Sequence, residues 1–170
     1  MSGYLDDSPH RVPNSSFRFQ QHTKSLSTMA ELALASSIIA VLQISGTVLK
    51  SAFKYLHGAK DARENIERVI VGIGTIESVL SCLKELVEKQ NNSGSASAPS
   101  LIMLNEPGGP LDQCKKSLED LLRKLGHINP LKKAANILIW SLREKEIDDI
   151  LKNIERQKSL FVLALHRDQL

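Results

Sequence analysis

Residues 32–49 (LALASSIIAVLQISGTVL) form a run of eighteen without a single charge. Over most of the remaining chain Lys, Arg, Asp and Glu recur at short intervals. A helix that is apolar on nearly every face has to be enclosed by other helices or by lipid. At about 1.5 Å per residue the run reaches roughly 27 Å, just short of a hydrocarbon core of about 30 Å. Its strong apolar residues are Leu32, Leu34, Ile38, Ile39, Val41, Leu42, Ile44, Val48 and Leu49. Each favours insertion by about 0.3–0.6 kcal/mol. Ser36, Ser37, Gln43, Ser45, Gly46 and Thr47 offset much of that gain. The balance favours a helix buried in a soluble bundle at rest. The apolar residues just named then become the candidate membrane or oligomerisation surface if that packing is released. On this reading an aspartate at Ile39 enters the core and destabilises the bundle by several kcal/mol.

A chain of 170 residues suits one domain with a substantial core. Aromatic residues are only 4% of it, so aliphatic packing has to fill that core. This favours an all-α, multi-helix bundle of about four to five helices. The net charge of +3 is spread along the chain, whereas nucleic-acid binding needs a concentrated basic face, so no nucleic-acid partner is expected. Cys82 and Cys114 are isolated and read as reduced core thiols. The apolar run begins too far from the start, and lacks a cleavage pattern behind it, to be a secretory signal. Residues 1–28, with Pro9, Pro13 and many serines, read as a disordered extension ahead of a domain over 29–170.

Periodicity divides that domain into helices. Ser27 or Thr28 can cap the first, with Glu31 completing a capping box, and Gly58 can stop it. A second starts near Asp61 and runs to about Gln90. Its stripe is Ile66, Val69, Ile70, Ile73, Ile76, Leu80, Leu83 and Val87. Gly72 and Gly74 suggest a close helix crossing there, with a hinge as the alternative. Residues 91–100 have the composition of a flexible linker, and 107–110 (PGGP) that of a rigid turn. Leu111, Cys114, Leu118, Leu121, Leu122 and Leu125 line the next helix, which Gly126 ends. Residues 130–140 suggest a short helix or turn. A last helix starts near Arg143 or Glu144 and buries Ile147, Ile150, Leu151, Ile154, Phe161 and Leu165.

Catalytic signatures are not found. There is no phosphate-binding glycine loop, HExxH, CxxC or nucleophile elbow. His10, His22, His57, His127 and His166 lack metal-ligand spacing. The carboxylates of the last helix alternate with Lys145, Lys152, Arg156 and Lys158, the pattern of a solvated face. The expectation is a protein that is not an enzyme and takes no metal or cofactor.

Three stretches carry a family resemblance. They are 29–58 with its core SSIIAVLQISGTVLK, 107–125 (PGGPLDQCKKSLEDLLRKL), and 154–165 (IERQKSLFVLAL). Together they resemble the HeLo-like N-terminal domains of fungal NLR/STAND proteins over 29–170. The resemblance implies a helical bundle serving as the effector end of an immune-type receptor, linked to regulated cell death and heterokaryon incompatibility. It also implies self-association on activation, driven by a downstream nucleotide-binding or repeat sensor module in the same or a separate chain. The N-terminal hydrophobic helix, here 32–49, would then leave a cytoplasmic bundle and insert into plasma-membrane lipid. The alternative is an oligomerisation or docking module that relays a signal without insertion. Two features depart from the family pattern. The first helix has only Gly46 where some relatives have a glycine zipper, and Trp140 is followed by Ser141 and Leu142 rather than Pro and Phe.

Overall fold

The computed structural model describes the backbone over 15–56, 63–93, 99–126 and 133–167, and side chains over 29–56, 63–93, 99–126 and 143–167. The elements are α1 (Ser15–Leu56), α2 (Arg63–Ser93), α3 (Pro99–Met103), α4 (Pro110–Gly126) and α5 (Lys133–Arg167), with no strand among the described residues. This is the all-α multi-helix bundle expected from composition and periodicity.

Two helices are longer than the cap signals suggest, for the same reason. The α1 backbone passes the expected cap at Ser27 or Thr28 and continues back to Ser15. No Pro or Gly lies between Ser15 and Thr28, so nothing in the backbone interrupts the helix. The remainder of the expected extension, residues 1–14, lies outside the described residues. Likewise the short segment and the last helix expected after Pro130 are one helix from Lys133, because no breaker follows Pro130. Within the expected linker, Pro99 opens the single turn of α3, an allowed place for a residue without an N–H.

Packing pairs define a ring: α1 meets α2 and α4, and α5 meets α2 and α4, while α1 and α5 sit on a diagonal with no packing between them among the described residues. Partner numbers give the directions. Asn65 pairs with Glu144 and Arg68 with Asp148, so α2 and α5 run parallel. Lys124 pairs with Glu146, Ser117 with Asn153, and Gln113 with Gln157, so α4 and α5 run antiparallel. The short connection between Leu56 and Arg63 makes α1 and α2 a hairpin, which leaves α1 parallel to α4. The chain thus forms two helical hairpins joined by a crossover. In that crossover α3 bridges the α1–α5 diagonal and buries Leu101.

The turn at 107–110 is built as its residues demand. Gly108 takes a φ of 74°, a conformation that costs L side chains about 1–2 kcal/mol. The Gly109 N–H donates to the Glu106 carbonyl at 2.7 Å. A Cβ on Gly109 would lie 2.8 Å from that same oxygen. Gly72 allows close approach of α5, since a Cβ there would stand 3.4 Å from Leu151 Cδ2. Gly74 faces nothing within 4 Å, so the expected crossing rests on Gly72 alone.

Most of the stripes assigned to α2 and α4 is buried: Ile66, Val69, Ile73, Ile76, Leu80, Leu83 and Val87 from one, Leu111, Cys114, Leu118, Leu121 and Leu125 from the other, while Ile70 and Leu122 are partly buried at their edges. On α5, Ile147, Ile154 and Phe161 are buried, and Ile150, Leu151 and Leu165 pack against the core. The expectation for α1 needs correction. Its apolar run is not enclosed. Leu34, Ile38, Val41 and Val48 are buried and Leu42, Ile44 and Leu49 are partly buried, but Leu32 is 58% and Ile39 40% exposed. A helix at the corner of a ring has two long neighbours, and these cover one side of it. Cys82 is a second correction: it lies on the surface, while Cys114 is in the core.

These positions reverse the mutational expectation for Ile39. Ile38→Asp should cost about 3 kcal/mol or more, because it places a carboxylate in the core. Ile39→Asp should cost roughly 1 kcal/mol or less, because its side chain reaches water. Urea melts of both variants check this; an equal loss at the two positions would contradict the placement of α1.

Candidate functional site on the first helix

Among the described residues, Met29–Leu56 is the one stretch of helix long and apolar enough to cross a membrane, and its most apolar eighteen residues have a mean hydropathy of 2.0. Only 28% of its best window is buried within the bundle. The helix therefore has two working faces. The inner row is Leu34, Ile38, Val41, Ser45, Val48 and Ala52, spaced by three and four residues. The outer face carries Met29, Leu32, Ser36, Ile39, Gln43 and Thr47, then Lys50, Phe53 and Lys54. Glu31 is the sole ionisable residue between Met29 and Leu49, and it is buried.

Three described hydroxyls on this helix donate to its own backbone. Ser36 Oγ donates to the Leu32 carbonyl at 2.8 Å, and Thr47 Oγ1 to the Gln43 carbonyl at 2.9 Å. Ser51 Oγ donates to the Thr47 carbonyl at 3.0 Å. Ser45 differs. It is fully buried, and its Oγ lies 2.9 Å from both the Leu42 carbonyl and Glu77 Oε1 on α2. Among the side-chain hydrogen bonds described for the run, this one alone leaves α1.

The nine apolar residues proposed from sequence are thus divided by the structure. Leu34, Ile38, Val41 and Val48 face inward; Leu42, Ile44 and Leu49 flank them; Leu32 and Ile39 face outward. Sequence reasoning missed Met29 and Phe53, both exposed, and Glu77. Glu77 was detectable in principle, because it directly follows Ile76 and lies four residues after Ile73, beside the apolar stripe.

Other surfaces offer less chemistry. A groove of about 580 Å³ runs along the α2–α5 contact, lined by Val71, Gly72 and Leu151 together with the Arg68–Asp148 ion pair (2.9 Å). The α4–α5 seam is hydrogen-bonded. Buried Gln157 donates through Nε2 to Gln113 Oε1 at 3.0 Å and Asn153 Oδ1 at 3.1 Å, and Asn153 Nδ2 donates to Ser117 Oγ at 2.9 Å. At one end of that seam Lys124 hydrogen-bonds Glu146 and holds its carboxyl below the usual range. At the start of α4 the Lys116 ammonium does the same for Asp112. Burial raises the Tyr55 hydroxyl above its ordinary value. Among the described residues no cluster of His, Cys, Asp and Glu could hold a metal.

No family model, no curated protein and no solved structure matches this chain.

The two thiols should react very differently. Burial pushes the Cys114 thiol up to about 12, whereas Cys82 stands on the surface. Thiolate is the reactive form. The native chain should take up one equivalent of a disulfide reagent at neutral pH, and Cys82→Ser should abolish that uptake. Rapid labelling of Cys114 before unfolding would show that the α4 core is open.

Proposed function

We propose that the chain is a non-catalytic effector domain of the HeLo-like kind, whose first helix acts on a membrane when the bundle opens. The observation that carries this reading is the state of α1. The one spanning-length apolar helix among the described residues is held at a corner by two long partners, and its outer face is uncharged from Met29 to Thr47. Its hydrogen bonding supports the same reading. Lipid penalises unsatisfied polar groups, and Ser36, Ser45 and Thr47 each have an acceptor within the helix. Lys50 and Lys54, with Phe53 between them, follow the uncharged run as headgroup-level residues do. In the receptor setting that the resemblance implies, a sensor module in the same or a separate chain would drive self-association and gather several copies of α1. The bundle would be cytoplasmic at rest and at the plasma membrane once activated.

A second reading has its own observation. Met29, Leu32 and Ile39 are accessible without any opening. A closed bundle can therefore present them to another copy or to a partner, relaying a signal through protein contacts alone.

Ile39→Lys separates the two. The position is exposed, so the bundle should melt as the wild type does. It also lies near the centre of the run, where a lysine disfavours insertion by about 3 kcal/mol. Dye leakage from vesicles should fall roughly a hundredfold for this variant. Equal leakage by the variant and the wild type, or no leakage by a wild type that self-associates, would overturn the membrane reading. Association in the absence of lipid, lost in Ile39→Lys, would favour the docking reading.

A further inference from the structure

The inner row of α1 and the facing stripe of α2 are nearly uniform. On α1 the row is Leu34, Ile38, Val41, Ser45, Val48 and Ala52; on α2 it is Ile66, Val69, Ile73, Ile76, Leu80, Leu83 and Val87. Two such surfaces match almost as well after a slide of one turn, about 5.4 Å. Buried Glu31 stands at the start of the α1 row, and in the middle of the seam a polar pair breaks that equivalence. Glu77 of α2 reaches Ser45 Oγ at 2.9 Å, and its Oε1 lies 3.6 Å from where a Cβ on Gly46 would be. The carboxylate thus sits against the one stretch of the inner row where a hydroxyl adjoins a glycine. A slide of one turn would bring Glu77 against Val41 or Val48 and leave it without that donor.

The same pair makes the docking weaker than an apolar pair would. The half-buried Glu77 carboxylate gives up part of its water where it is packed against an apolar helix. Ser45 has one proton and two acceptors, so on leaving Glu77 its hydroxyl turns to the Leu42 carbonyl at 2.9 Å. The serine side of the bond is therefore lost at little cost, while the carboxylate regains water. Polar groups at otherwise apolar helix interfaces can select register at the expense of stability.

We infer that Ser45 and Glu77 form a polar latch that selects one register of α1 on α2 and holds the helix less tightly than apolar residues would. The inference rests on the proposed release of α1 and assigns its control to a residue pair. A purely stabilising contact would weaken whichever partner is changed. The latch instead gives opposite signs for its two halves.

Amide hydrogen exchange of the full chain tests it, with α4 and α5 as internal controls. Ser45→Ala leaves the carboxylate docked without its donor, and exchange in α1 should speed up roughly tenfold. Glu77→Leu removes the half-buried carboxylate and leaves Ser45 bonded within its own helix, so exchange in α1 should slow severalfold. Glu77→Gln keeps an acceptor for Ser45 and should stay near the wild type. Changes should be confined to α1 and the facing side of α2. Exchange in Glu77→Leu that is unchanged or faster overturns the latch, as does an equal shift throughout α4 and α5. Vesicle leakage then distinguishes this failure from that of the membrane reading. Opposite-signed exchange with no leakage from any variant supports the latch and removes the membrane role. Leakage by the wild type with same-signed exchange keeps the membrane role and removes the latch.

Discussion

A helix at the corner of a four-helix ring meets two long neighbours, and α1 meets α2 and α4. That limit decides how its uncharged run is used. Burial of Leu34, Ile38, Val41 and Val48 supplies the attachment, each side chain contributing about 1.5–3 kcal/mol. The remaining face has no third long helix to cover it, because α5 lies across the diagonal and α3 is a single turn. The exposure of Leu32 and Ile39, the small and polar character of Ser36, Gln43 and Thr47, and the self-satisfied hydroxyls all follow from that position.

The seams of the ring differ in kind. Between α4 and α5, directional hydrogen bonds through Gln113, Ser117, Asn153 and Gln157 add to apolar burial. Between α2 and α5, Gly72 lets Leu151 close in, with Arg68–Asp148 across the top. The α1–α2 seam is largely apolar, with the Ser45–Glu77 hydrogen bond set within it.

Most of the fold is legible in the sequence where polar residues alternate with apolar ones. In α4 the charges Lys115, Lys116, Glu119, Asp120 and Arg123 mark the solvent side and leave one possible inner face. The same holds for α2, where Glu64, Glu67, Glu85 and Glu88 bracket the stripe. The run in α1 lacks such marks. With no charges to mark the outside, composition overstates burial, and only the number of neighbouring helices decides which residues are covered. Cap residues alone do not set the helix ends: α1 passes Thr28 and α5 passes Arg143 where no Pro or Gly breaks the backbone. Of the candidate site, the helix itself was legible; its division into two faces and the contact from Glu77 depend on tertiary packing and were not.

The most direct test of the corner placement is a spin-label scan from Met29 to Leu56, reading the accessibility of each site to a water-soluble relaxant. The expected profile oscillates every three to four residues, with minima at Leu34, Ile38, Val41, Ser45, Val48 and Ala52 and maxima at Leu32, Ile39 and Phe53. A flat profile, whether uniformly protected or uniformly exposed, would contradict it.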